Sequence, residues 1–149
     1  MYAVTESATA TTMISSLPEA LTAYAAANPN VIAVTSADTD LTYAELDSWS
    51  NRLARVLIAT GARPGTSVTV AVSRSVEFLV AAWAVAKSGA TMTDAGAQAD
   101  AVLAVTTKSD RAQVAGAVAV LLLDDLSTMR RYMTVSDAAV TEADFAVAA

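Results

Sequence analysis

Chemistry in this chain would have to come from carboxylates, hydroxyls and two lysines, because the 149 residues contain neither cysteine nor histidine. Disulfides, thiolate zinc sites, cysteine nucleophiles and imidazole general bases are excluded together. Among the acids, Asp124-Asp125 follows an apolar run, and the ends of strands in an open α/β sheet are where ligands collect. As a strand-end turn, however, the pair reads as structural. Asp94, Asp100 and Asp110 are spread along the chain with no histidine to complete a metal set, and read as solvated loop residues. Ser73-Arg74-Ser75 could hold an anion at the start of the next helix, yet a capping Ser75 accounts for the serine without a ligand. Trp49 and Trp83 could stack a flat ligand, but each falls on an apolar helical stripe, where core packing is the ordinary use. Lys87 and Lys108 are the only lysines.

Bulk properties narrow the classes further. A chain of this length fits one domain burying roughly 70% of its unfolded surface, enough for a core without staples. Zero cysteine is compatible with a reducing compartment, and residues 1–16 lack the basic and apolar parts of a secretory signal, so cytoplasmic placement is expected. No apolar run approaches the ~20 residues that cross a bilayer, which argues against a membrane role. The net charge is −6 with nine scattered basic residues, a distribution that repels a phosphate backbone and argues against nucleic acid as a partner.

Any such residues need elements to position them. Residues 17–27 place apolar side chains at 17, 20, 21 and 24, with Ser16 as a cap, Pro18 in the first turn and Asn28-Pro29 as a stop, which predicts a short amphipathic helix. Residues 31–35 (VIAVT), a turn over 37–40 and Leu41-Thr42 predict a small hairpin. Thr42 and Glu45 then form the S/T-x-x-E pattern that satisfies two orphan N–H groups at a helix start. Leu46, Trp49, Leu53, Val56 and Leu57 recur at three- and four-residue steps while Asp47, Asn51, Arg52 and Arg55 project elsewhere. Gly61 is the natural C-terminal cap. Residues 68–72 predict a buried strand and 75–88 a helix that is apolar on most of its circumference, ended by Gly89. Further strands are expected over 101–105, 118–123 and 143–148, with short helices over 109–115 and 124–133. This βα order predicts a layered α/β domain with a mostly parallel sheet. Residues 1–16 are expected to be a flexible tail and 17–149 one domain, without internal repeats.

The stretch LTYAELDSWSNRLARVLIATGARPGTSVTVAVSRSVEFLVAAWAVAKSGA resembles the opening of nonribosomal peptide synthetase adenylation domains, members of the adenylate-forming acyl/aryl-CoA synthetase and luciferase superfamily. LTYAEL resembles the family's first core motif. AVAKSGATMTD, residues 84–94, occupies the place of the second, with Met92 and Thr93 standing where tyrosine, valine and proline are expected, and the tract that usually follows is shortened near 94–101. VAVLLLDD resembles a later family segment, and TEADFAVAA looks like the strand leading into the third core motif. The resemblance covers residues 17–149 and implies the N-terminal subdomain fold of adenylate-forming enzymes.

In that family the ATP phosphates rest in a Ser/Thr/Gly-rich loop with a lysine, directly after the strand that residues 145–149 resemble. Such a loop needs glycines so that neighbouring N–H groups converge on the phosphates, and no glycine-rich run in these residues stands in for it. Neither lysine falls at a family catalytic position. No catalytic, cofactor-binding or metal-ligating residue is therefore carried over, and no cofactor is expected. The resulting expectation is a truncated, noncatalytic module of nonribosomal peptide biosynthesis, acting as scaffold, interaction partner or remnant. The alternative is one half of a split enzyme that activates an amino or carboxylic acid as acyl-adenylate only with a partner chain. Surface that packs against further subdomains in the family implies a partner here, either a second copy in a two-fold dimer or another synthetase subunit.

Overall fold

The computed structural model describes residues 18–36, 39–73, 75–93, 101–114 and 119–148. The elements run α1 (Pro18–Ala27), β1 (Ile32–Thr35), β2 (Asp40–Thr42), α2 (Tyr43–Thr60), β3 (Ser67–Ala71), α3 (Ser75–Lys87), β4 (Thr91–Thr93) and β5 (Leu103–Thr106). A 3-10 turn (Arg111–Val114), β6 (Val120–Leu122), α4 (Leu126–Thr134) and α5 (Glu142–Ala148) follow. The expected tail over 1–16, the cap at Ser16 and the shortened tract near 94–101 lie outside the described residues, apart from Ala101.

Strands β3 to β6 form one parallel sheet in the order β4-β3-β5-β6. In-register parallel partners share a face, and Val105 pairs with Leu121 as Val70 pairs with Val105. Val68, Val70, Leu103, Val105 and Leu121 therefore line one side, where they meet α2 and α3 in the main core. On the reverse side Ala71 and Ala104 pack against Val114 of the 3-10 turn. Thr69 and Thr106 are also fully buried there, with their hydroxyls satisfied locally. Thr106 Oγ1 donates to the Ala71 carbonyl at 2.7 Å, and the Thr69 and Thr93 hydroxyls share a bond at 3.0 Å. Strands β1 and β2 make the separate antiparallel hairpin that their turn residues predict.

Helix α2 begins as its sequence dictates. Thr42 Oγ1 accepts from the Glu45 N–H at 3.1 Å while the Glu45 carboxylate accepts from the Thr42 N–H at 2.9 Å, closing the capping box. Leu46, Leu53 and Leu57 are almost wholly buried, each worth about 1.5–3 kcal/mol of transfer free energy. Gly61 at φ +128° lets its N–H return to the Leu57 and Ile58 carbonyls. The glycine ending α3 has a second reason beyond its positive φ. A Cβ on Gly89 would sit 2.7 Å from Pro64 Cγ, so only glycine lets this turn lie against the one after α2.

Three expectations need correction. Residues 143–148 are not a strand but belong to α5, because Thr141 and Asp144 build a helix start: the Thr141 N–H donates to Asp144 Oδ2 at 2.8 Å. Trp49 is not core, being 37% exposed, whereas Trp83 packs against the core as expected. The buried side of α2 also takes in Ser50, Ala54 and Ile58, and Trp49 falls on its margin. Asp110 is not a solvated loop residue but is buried. The helix predicted over 124–133 is α4, shifted because Asp125 is its cap, and the one over 109–115 shortens to the 3-10 turn.

Candidate functional site

The polar side of α2 gathers the largest set of charged and amide contacts. Its two edges hold different parts of the chain. On one edge Asp47 receives Lys87 Nζ from α3 at 2.7 Å and Thr22 Oγ1 from α1 at 3.0 Å. Lys87 Nζ also donates to Ser50 Oγ at 2.7 Å and to the Asp47 carbonyl at 3.2 Å, so its three donors are used. The Lys87 side chain is only 4% exposed. Burial lowers its proton affinity below that of ordinary lysine, against the opposing pull of the Asp47 carboxylate.

On the other edge, Ser48, Asn51, Arg52 and Arg55 recur at one helical turn and grip residues 132–144. Ser48 Oγ donates to Asp137 Oδ2 and Asn51 Nδ2 to the Asp137 carbonyl, both at 2.9 Å. Asn51 Oδ1 is the buried side-chain oxygen without a protein partner among the described residues. Arg52 reaches the Tyr132 and Met133 carbonyls at 3.3 Å and lies over the Tyr132 ring. Burial raises the Tyr132 phenol pKa and the Arg52 charge opposes the shift, so the phenol stays neutral. Arg55 donates to the Ser136, Ala138 and Ala139 carbonyls and binds Asp144 through Nε at 3.0 Å and Nη2 at 3.3 Å. Burial pushes the Asp144 carboxyl up, but the Thr141 N–H and the Arg55 charge outweigh it and hold it below the ordinary aspartate value. A planar guanidinium suits this role because it serves several acceptors in a fixed fork.

The acidic candidates do not converge. Asp124 accepts from the Lys108 N–H at 3.0 Å, tying the turn after β5 to the turn after β6. Asp125 caps α4 by accepting from the Ser127 N–H at 3.1 Å, and its bonds with the Ser127 hydroxyl and N–H hold its carboxyl below the ordinary range. Both members of the pair thus take part in turn and cap contacts. Asp110 accepts from the Ser73 hydroxyl at 2.6 Å and N–H at 2.9 Å, from Thr107 Oγ1 at 3.0 Å and from Gln113 at 3.1 Å. Ser73 therefore serves the loop at the carboxyl ends of β3 and β5. Arg74, Asp94 and Asp100 lie outside the described residues. Among the described residues no group of three His, Cys, Asp or Glu is placed to hold a metal, and no helix is long and apolar enough to cross a membrane.

Sequence reasoning missed the grip of α2 on residues 132–144. The signal was present as the polar spacing 48, 51, 52 and 55, but nothing local says which distant carbonyls answer it.

Residues 21–143 match the family described as AMP-binding enzyme. The chain is similar to CymA of Salinispora arenicola, described as a probable non-canonical nonribosomal peptide synthetase, 37% identical over 140 residues, covering 86% of this chain and 2% of that protein. It is 45% identical over 74 residues to a dimodular nonribosomal peptide synthase of Bacillus subtilis, covering 50% of this chain and 3% of that one. Among solved structures, the nonribosomal peptide synthetase FmoA3 superposes with a TM-score of 0.70 at 27% identity, over 84% of this chain and 14% of that chain. A Mycobacterium tuberculosis fatty acyl CoA synthetase superposes with a TM-score of 0.72 over 87% of this chain and 30% of that chain, and at 18% identity it speaks to fold alone. The chain thus spans only a few per cent of the curated relatives it matches.

Proposed function

The chain belongs to the AMP-binding enzyme family, its residues corresponding to an N-terminal adenylation-domain part, and from that premise we propose a noncatalytic interaction module of nonribosomal peptide biosynthesis. The observation that carries this reading is the use of α2. Asp47, Arg52 and Arg55 each hydrogen-bond within the chain and tie α1, α2, α3 and residues 132–144 together. Lys87 is spent on the same frame. The module works in the cytoplasm, and its partner is another synthetase subunit or a second copy.

The test is pyrophosphate exchange by this polypeptide with ATP, magnesium and a panel of amino acids. No exchange above background is expected, and measurable exchange would overturn the reading. The intact frame, superposing at a TM-score of 0.70 on FmoA3, favours a second reading in which a separate chain completes an acyl-adenylating enzyme. Exchange that appears only on adding a polypeptide carrying the remaining adenylation-domain segments would select it.

A further inference from the structure

We draw no further inference here: the strongest candidate, the exposed apolar surface patch that Leu126, Met129 and Met133 form on α4, carries none because nothing in the structure shows what covers it.

Discussion

Two ion pairs on the same helix do different work. Lys87–Asp47 joins helix to helix, with side chains 4% and 18% exposed, whereas Arg55–Asp144 joins the helix to a loop and a short helix, with side chains 14% and 22% exposed. The first is a point charge closed in by α1, α2 and α3. The second is a fork spread over a carboxylate and several carbonyls. The difference teaches that burial decides whether an ion pair is part of the core or a clasp on it. A lysine enclosed this far has no water to turn to if its partner goes, while the Arg55 segment can open locally and be solvated.

The largest expected effect follows from breaking the enclosed pair. Asp47→Ala is expected to destabilise the fold by about 3 kcal/mol, because it leaves the Lys87 ammonium buried with hydroxyl and carbonyl partners alone. The urea midpoint reports this, and a loss under about 1 kcal/mol would mean the pair behaves like a surface one. A sign accompanies it. The Lys87 pKa is lower folded than unfolded, so the unfolded chain binds more protons in the interval between the two. Stability should therefore rise with pH through that interval, and the Asp47→Ala deficit should shrink as lysine neutralises.

Opening the clasp should cost less and stay local. Arg55→Ala is expected to lose about 2 kcal/mol. Its signature is faster amide hydrogen exchange over residues 136–148 with protection retained over 46–58. Uniform acceleration across both would show that the segment is inseparable from the core. Arg55→Lys should rescue poorly, since an ammonium cannot span the same acceptors.

Smaller still is the cap. Thr42→Ala should cost about 1 kcal/mol in thermal or urea unfolding, and a neutral result would mean that tertiary packing alone sets the helix start. The smallest effect is Asp144, whose carboxyl is held below the ordinary aspartate value. Its contribution is complete above that value and is lost as pH falls through the lower folded one. Wild type should therefore exceed Asp144→Asn in Tm by an amount worth under about 1 kcal/mol near neutrality, converging in acid. A gap that widens on acidification would contradict the assignment.

Much of the fold was legible where local and tertiary demands agree. Leu46, Leu53 and Leu57 advertise their shared face, Gly61 and Gly89 mark the helix ends, and the Thr42 to Glu45 spacing names a start. The misreadings share one cause. Thr107 to Asp110 and Thr141 to Asp144 repeat the same threonine-to-acid spacing, and both build turns of helix, yet neither is followed by a clean apolar stripe. Residues 143–148 are a short apolar stretch that suggests a strand, and the capping signal of Thr141 and Asp144 at its start points instead to a helix. Trp49 shows the complementary error. Counting only large apolar residues moved the inferred stripe away from Ser50 and Ala54, small positions that are fully buried.

Spacing along the chain was enough for both ends of α2, the buried strand β3 and the family resemblance, because these depend on residue patterns and backbone geometry within short stretches. Only the tertiary structure decided which charges meet. Asp47 with Lys87 and Arg55 with Asp144 are 40 and 89 residues apart. Coulombic and hydrogen-bond energies depend on distances of a few ångströms that no sequence spacing encodes. It also decided that Leu126, Met129 and Met133 stay uncovered, since exposure belongs to the packed molecule and not to any residue alone.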